Sequence, residues 1–311
     1  MNVQSGSEYK VLNIKEKGGL TGVKWRVKWE RIKMPRGTEW IRMVTLLRIM
    51  LVALLVFSLY QLATYWHNSM ENRRALNDIQ ELYYQQQAVP PYKQDIVVDR
   101  TLYNAGSKPI NKTDSADLEH SKQSQKLAQT ERFAQLKEIN EDIVGWIQIP
   151  DTEIDYPIVQ GEDNEYYLKH TFEKIKNVSG AIFMDYRNDP ELQDANTIVY
   201  GHHMKNGTMF KALQNYKDLD FFNKHRIIMY DTPTGHYEWE VFSVYVTSTE
   251  FYYIQPTFKT NEQYATFLNK IHSKSMHPSE ITLVDQDRIL TLSTCSYEFD
   301  NARLVIHARL L

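Results

Sequence analysis

Short apolar runs, many of them alternating with polar residues, recur from residue 144 to the C-terminus and predict a strand-rich domain. Polar turn residues separate the runs, at Pro150-Asp151, Asn206-Gly207 and Thr232–Gly235. Eight strands with few helices favour a closed or nearly closed β-barrel. The predicted strands are Val144–Ile149, Ile154–Gln160, Gly180–Met184, Thr197–Tyr200, Ile227–Tyr230, Tyr237–Thr247, Arg288–Thr294 and Arg303–Leu310.

Two segments carry apolar residues at helical spacing, so the domain is mainly β with two helical additions. Leu127–Asn140 predicts a short N-terminal helix that covers the sheet. Asn261–Ser275 predicts a helix that packs on the barrel, inserted before the seventh strand, with Thr260 as its N-cap. The apolar positions are Phe133, Leu136 and Ile139 in the first segment, and Tyr264, Phe267, Leu268 and Ile271 in the second.

A long apolar segment, Met43–Trp66, precedes the predicted domain and indicates a transmembrane helix. No residue from Ile49 to Trp66 is charged, and about 20 apolar residues suffice to cross the hydrocarbon layer. Tyr65 and Trp66 end the segment, where interfacial aromatic residues are common. Residues 1–42 contain ten Lys and Arg against four Glu, so the positive-inside rule predicts a cytoplasmic N-terminus and an extracellular remainder.

A cleaved signal peptide is the alternative interpretation of this apolar segment. The basic leader is long for a signal peptide, the apolar run exceeds the usual length, and no small-residue cleavage site follows. We therefore favour an uncleaved single-pass anchor in the cell membrane.

The residues between the anchor and the first predicted strand have the composition of a spacer. Residues 67–87 have helical composition and predict a stalk, whereas residues 88–125 combine proline with polar residues and predict an extended linker. The predicted organisation is a cytoplasmic basic segment (1–42), a transmembrane helix (43–66), an extracytoplasmic stalk and linker (67–124) and a folded domain (125–311).

The charge and the cysteine content exclude several kinds of function for the folded domain. A formal net charge of −3 gives no case for nucleic-acid binding. Cys295 is the only cysteine, which excludes an intramolecular disulfide and a cysteine-rich metal site. A lone cysteine is by default a small buried apolar residue, and only its neighbours in the fold change that interpretation.

The neighbours of Cys295 point to nucleophilic chemistry. Cys295 ends one predicted strand and Arg303 begins the next, so a thiol and a cation that stabilises negative charge can face each other. A thiol also needs a proton-transfer partner, and His202 is a candidate because it follows a strand through Gly201. His203 is poorly placed to share a metal ion with His202, since adjacent residues on an extended chain point to opposite faces.

These residues lie in motifs that resemble those of one enzyme family. TLSTC at Thr291–Cys295, with Arg303 opening the next strand, resembles the sortase signature, and VYGHHM at Val199–Met204 resembles the sortase histidine motif. The order of anchor, linker, histidine, cysteine and arginine also fits this family. The helix at Asn261–Ser275 and the N-terminal helical cover are similar to those of class B, and the resemblance extends over about residues 125–311.

The resemblance implies an extracytoplasmic cysteine transpeptidase of Gram-positive bacteria, with an eight-stranded sortase-like β-barrel and no cofactor or metal ion. Such an enzyme cleaves a C-terminal sorting signal after threonine through a thioacyl-enzyme. It then transfers the surface protein to an amine of a peptidoglycan precursor, such as a lipid II-like molecule. By this resemblance Cys295 is the nucleophile, His202 transfers protons and Arg303 stabilises the oxyanion, whereas His203 is not catalytic.

The resemblance also implies a peptide-binding groove beside the cysteine. Tyr253 and Ile254 are expected on the loop that leads to the inserted helix, where they would form one wall of the groove. The expected substrate contacts are Asn164, Tyr200, Thr249, Tyr253, Ile254, Ser293 and Thr294.

Alternatives to wall anchoring stay open at the level of sequence. A class B sortase that polymerises pilins differs only in the acceptor amine, and a hydrolytic cysteine protease uses water instead. A membrane-tethered binding module would keep Cys295 as a structural residue. The sorting pentapeptide, whether NPxTN-like, PxTG-like or other, and the acceptor amine are likewise open.

Overall fold

The structure is a computed structural model of the chain, and it describes residues 9–11, 29–31, 37–85, 112–296 and 298–311. Most of the predicted basic segment 1–42 and residues 86–111 of the predicted linker lie outside the described residues. The chain forms two compact units, Met1–His67 and Asn68–Leu311.

The first unit contains two short strands and most of a long helix. Strands β1 (Tyr9–Val11) and β2 (Trp29–Arg31) pair antiparallel. Helix α1 (Gly37–Gln85) begins in this unit and ends in the second. Among the described helices, α1 is the one whose length and apolar composition suffice to span a membrane, as the sequence predicts.

The second unit is built on a closed barrel of eight strands in the order β10-β8-β7-β3-β4-β5-β6-β9, with β9 closing onto β10. Two pairs, β4 with β5 and β6 with β9, are parallel, and the others are antiparallel. The predicted barrel is confirmed, and each predicted strand end lies within two residues of the observed one. The strands are β3 (Ile143–Gln148), β4 (Asp155–Val159), β5 (Ile182–Met184), β6 (Asn196–Tyr200), β7 (Ile227–Thr232), β8 (Gly235–Thr247), β9 (Ile289–Cys295) and β10 (Arg303–Leu310).

Strand β9 is covered on both faces, which explains why it is buried from Ile289 to Thr294. Leu290 and Leu292 point into the main core, whereas Ile289 belongs to a second cluster on the opposite face. Helix α4 (Asn261–Ser273) supplies much of that second cluster. The strand that ends at the cysteine is therefore held between two apolar layers.

The two predicted covering helices are present. Thr260 caps α4 as predicted, because its side chain accepts a hydrogen bond from the backbone N–H of Gln263 at 3.3 Å. All four predicted apolar positions of α4 are buried. Helix α2 (Lys112–Ile139) begins earlier than predicted. Its Phe133 and Leu136 are buried in the main core, so the predicted helical cover is confirmed, whereas Ile139, at the end of the helix, is 43% exposed. A short helix, α3 (Leu219–Lys224), precedes β7.

The C-terminal part of α1, residues 68–85, belongs to the barrel unit, whereas the sequence predicts a stalk over residues 67–87. Leu76, Ile79 and Tyr83 are buried in the main core, at positions i, i+3 and i+7 of the helix. The ring of Tyr83 stacks on Trp146 of β3 with centroids 4.0 Å apart, and its hydroxyl donates to Asp231 of β7. The compact unit thus starts at Asn68, and the boundary predicted at residue 125 falls inside α2.

This packing predicts that residues 68–85 stabilise the barrel. In a fragment that spans Asn68–Leu311, Ile79→Ala should lower the free energy of unfolding by about 2–4 kcal/mol, because Ile79 is 2% exposed and its loss leaves a cavity. Asn77→Ala, on the exposed side of the same helix, should change it by no more than about 0.5 kcal/mol. Urea unfolding followed by circular dichroism measures both, and equal values for the two variants would contradict the packing.

Candidate active site

The cysteine and the arginine singled out from sequence lie on adjacent strands. The antiparallel register of β9 and β10 places Arg303 directly opposite Cys295, at the ends of the two strands. The thiol of Cys295 is free and half-buried. The guanidinium of Arg303 donates to the carbonyl of Ala302 at 3.1 Å, and its five N–H groups leave further donors for a ligand.

The histidine reaches the thiol because β6 runs parallel to β9. Tyr200 pairs with Ser293, and the N–H of Gly201 continues the ladder by donating to the carbonyl of Ser293 at 3.2 Å. His202 lies two residues beyond Tyr200, and Cys295 lies two residues beyond Ser293. Both side chains therefore leave the sheet at the same edge, and they are joined by a hydrogen bond.

Glycine at position 201 is required by packing. A Cβ atom there would lie 2.5 Å from Ile182 and 2.7 Å from Phe210, so no other residue fits without moving the core. The backbone before His202 consequently passes close against the barrel core. This contact holds the histidine within reach of the thiol.

A backbone carbonyl fixes the orientation of the imidazole. Nε2 of His202 lies 2.7 Å from the carbonyl oxygen of Leu168. A carbonyl only accepts, so Nε2 carries a proton and donates it, which leaves Nδ1 for the thiol. The sequence does not predict that Leu168 binds the imidazole, because any residue at this position would supply the same backbone carbonyl.

The electrostatics of the pair favour separated charges. The hydrogen bond from His202 lowers the pKa of Cys295 against the opposing effect of burial, and the positive charge of Arg303 lowers it further. The same hydrogen bond raises the pKa of His202 above its usual value despite burial, and the Leu168 carbonyl adds to the increase. Both shifts favour the thiolate and the imidazolium, and the thiolate is the nucleophilic form of a cysteine.

All ten site residues named from sequence line one groove of about 330 Å³. Cys295, His202 and Arg303 lie in it together with the seven expected substrate contacts. Further lining residues that the sequence did not single out are Leu168, Phe183, Gly201, Phe251 and Tyr252. Phe251 and Tyr252 belong to the aromatic run in which only Tyr253 was singled out, so that run carried the signal for them.

The floor of the groove is formed by side chains that bind each other. The hydroxyl groups of Tyr253 and Ser293 are 2.8 Å apart and both residues are buried. Thr294, between Ser293 and the cysteine, is 2% exposed, and its hydroxyl has no hydrogen-bond partner in the described part of the chain. Tyr253 and Ile254 lie on the segment that connects β8 to α4, as predicted.

A second group of residues supports the backbone of Cys295 from behind. The carbonyl oxygen of Cys295 lies 3.3 Å from Nδ1 of His203 and 3.3 Å from Nε2 of Gln214. Lys217 reaches past the cysteine to the hydroxyl of Ser296 at 3.3 Å and forms an ion pair with Glu298. His203 therefore contacts the backbone of the cysteine and does not line the groove. Across the described ranges, no group of three or more His, Cys, Asp or Glu side chains is arranged to hold a metal ion.

Comparisons with known proteins agree with this geometry. A family model described as "Sortase domain" matches residues 147–311. Sortase B of Listeria monocytogenes is 45% identical over 178 residues, which cover 57% of this chain and 72% of that protein.

Solved structures that are similar to this chain are also sortase B proteins or are described as similar to sortase B. A Bacillus anthracis protein described as similar to sortase B is 40% identical with a TM-score of 0.60, covering 78% of this chain and 96% of that chain. A sortase B–substrate complex from Staphylococcus aureus is 36% identical with a TM-score of 0.56, covering 65% of this chain and 99% of that chain.

The hydrogen bond between His202 and Cys295 predicts an acidic thiol. Alkylation of Cys295 by iodoacetamide should rise with pH through a midpoint below about 8.5, the value of an unperturbed thiol. In His202→Ala the midpoint should move upward, because the largest influence that lowers the pKa is lost. His272→Ala, on α4, is the control and should keep the wild-type midpoint. Identical profiles for wild type and His202→Ala would refute the assignment.

Proposed function

The chain belongs to the sortase family of cysteine transpeptidases, class B, and from this we propose that it anchors surface proteins to the cell wall. The substrate is a protein with a C-terminal sorting signal, and the acceptor is an amine of a peptidoglycan precursor. The observation that carries the proposal is the hydrogen-bonded pair of His202 and Cys295 with Arg303 opposite, at one end of a peptide-sized groove.

In the first half-reaction, the thiolate of Cys295 attacks the carbonyl carbon of the threonine in the sorting signal. The oxygen becomes negative in the tetrahedral intermediate, and the guanidinium of Arg303 stabilises it. The peptide bond after threonine then breaks, and His202 gives its proton to the leaving amine. The products are a thioester on Cys295 and the released C-terminal fragment.

In the second half-reaction, an acceptor amine attacks the thioester carbonyl. His202, now neutral, takes a proton from the attacking nitrogen, and Arg303 again stabilises the oxyanion. Collapse of the intermediate expels the thiolate of Cys295 and leaves an amide between threonine and the acceptor. The Leu168 carbonyl keeps Nε2 of His202 engaged in both steps, so Nδ1 is the atom that exchanges the proton.

The groove is proposed to bind the sorting signal in an extended conformation. Its lining is mainly apolar and aromatic, with polar groups at Asn164, Tyr200 and Arg303 that can orient a peptide backbone. Thr249, Ile254 and the floor residues Tyr253, Ser293 and Thr294 complete the proposed contacts. Staphylococcus aureus sortase B has been solved with a substrate, which supports substrate binding by the related groove here.

The proposed location is the cell membrane, with the N-terminus in the cytoplasm and the barrel outside. Helix α1 supplies a span by length and composition, and the excess of Lys and Arg before it supports this orientation. An extracytoplasmic barrel would meet its wall acceptor on the same side of the membrane.

A peptide assay tests the reaction directly. Internally quenched peptides that carry NPxTN-like or PxTG-like motifs should be cleaved after threonine, and an added amine should accelerate turnover and appear in the product. Cys295→Ala should abolish cleavage, a loss of at least about 10³-fold, because the thioester no longer forms. Arg303→Ala should lower kcat by about 10²- to 10³-fold, because oxyanion stabilisation is lost.

The control is Arg309→Ala, at the other end of β10, where the guanidinium lies 3.3 Å from Glu240 and away from the groove. It should leave turnover within about twofold of wild type. Unchanged cleavage in Cys295→Ala would disprove the transpeptidase mechanism, and cleavage without any transfer to amines would favour a hydrolytic protease. Transfer to a pilin lysine in preference to a peptidoglycan amine would favour pilus assembly.

A further inference from the structure

A buried carboxylate, outside the three residues of the proposed mechanism, lies behind the groove. Asp185 directly follows β5 and is 0% exposed. Its Oδ2 accepts hydrogen bonds from the hydroxyl of Tyr200 at 2.8 Å and from Nδ2 of Asn164 at 3.0 Å. Tyr200 and Asn164 both line the groove, so Asp185 ties two residues of one wall together from behind.

Arg187 neutralises this carboxylate and extends across to the other wall. Its Nε donates to Oδ1 of Asp185 at 2.8 Å, and a terminal nitrogen donates to Oδ2 at 2.7 Å. The same guanidinium donates to the hydroxyl of Tyr252 and to the carbonyl of Ile254, each at 2.9 Å. Tyr252 and Ile254 belong to residues 248–260, which we call the β8–α4 connection.

The ion pair joins the buried carboxylate of Asp185 to the guanidinium of Arg187, whose side chain is 31% exposed. Burial acts to raise the pKa of Asp185, but the hydrogen bonds from Arg187 and Tyr200 outweigh it and the pKa falls below its usual value. Both groups therefore stay charged at neutral pH, and their bonds are charge-assisted and bidentate. Tyr252 is 54% exposed, so its hydrogen bond to the guanidinium helps to hold this part of the connection in place.

The network also sets the polarity of the groove wall. The side-chain amide of Asn164 donates to Asp185 and accepts from the N–H of Tyr186 at 3.0 Å, so it cannot rotate freely. The hydroxyl of Tyr200 donates its hydrogen bond to Asp185, so towards a ligand it can act only as an acceptor. Tyr252 accepts from Arg187, which leaves its own proton available as a donor.

We propose that Asp185 and Arg187 form a clamp that holds the Asn164–Tyr200 wall and the β8–α4 connection at the separation a sorting signal requires. Both are positioning residues, because they act through the lining residues and not on the reacting atoms. The proposal rests on the proposed use of the groove for a peptide.

Arg187→Lys tests the clamp because lysine keeps the positive charge beside Asp185 but lacks the planar fork that reaches both walls. We expect kcat/KM for the sorting-signal peptide to fall by roughly 10- to 100-fold, mainly through KM, since displaced walls misalign the peptide. Alkylation of Cys295 by iodoacetamide should keep its rate and pH profile within about twofold, because a small reagent does not need the walls. Arg309→Lys, in an ion pair away from the groove, is the matched control and should match wild type in both assays.

A double-mutant cycle separates the clamp from a general loss of structure. Tyr252→Phe removes the hydroxyl that accepts from one arm of the guanidinium and that can also donate to a ligand, and it lies at an exposed position that tolerates the change. If Arg187 acts through Tyr252, the effect of Tyr252→Phe on KM should be smaller in Arg187→Lys than in wild type. Fully additive effects, or a parallel fall in peptide cleavage and alkylation, would overturn the clamp.

A measurement that needs no turnover keeps the clamp distinct from the proposed function. Limited proteolysis with chymotrypsin, mapped by mass spectrometry, should cut after Phe251 and Tyr252 faster in Arg187→Lys than in wild type or Arg309→Lys, because the hydrogen bonds from the guanidinium to Tyr252 and Ile254 are lost. Equal cutting would overturn the clamp even if wild type cleaves peptides. If wild type fails to cleave any sorting peptide while the cutting pattern changes as expected, the proposed function fails and the clamp as a physical link stands.

Discussion

The register of β9 between its two neighbours is the constraint on which the site depends. On one side the parallel pairing with β6 brings Tyr200 beside Ser293, and on the other the antiparallel pairing with β10 brings Arg303 opposite Cys295. A shift of one residue in either pairing would send the cysteine to the other face of the sheet. The apolar layers on both faces of β9 exclude that shift, because Leu290 and Leu292 would leave the core. The thiol, imidazole and guanidinium are thus brought together by backbone pairing across the barrel.

The groups around Cys295 also lower the pKa of its thiol. A half-buried thiol would by itself be less acidic than one in water, since burial disfavours the thiolate. The hydrogen bond from His202 and the nearby charge of Arg303 reverse that tendency. The Leu168 carbonyl completes the arrangement by occupying the far nitrogen of the imidazole. The cation and the donor are in place before a substrate arrives, so little reorganisation is needed during the reaction.

Much of this architecture follows from local patterns in the sequence, and the remainder follows from contacts that such patterns do not encode. Alternating residues predict the eight strands, and the TLSTC and YGHH motifs identify the cysteine and histidine. The helical composition of residues 67–87 predicts a stalk, but composition alone does not show that Leu76, Ile79 and Tyr83, at helical spacing, form a buried face. The contact of His202 with the Leu168 carbonyl and the hydrogen bond from Arg187 to Tyr252 exist only in the closed fold. No spacing of residues in the sequence predicts them.

In the proposed reaction Cys295 carries the acyl group between the two substrates. Intact and tandem mass spectrometry of the enzyme, quenched in acid after mixing with a sorting-signal peptide in the absence of amine, measures this directly. We expect a mass increase on Cys295 equal to the acyl fragment that ends at threonine, and we expect it to disappear when an amine is added, as the amide product forms. Turnover with no adduct on Cys295, or with an adduct that an amine does not discharge, would contradict it.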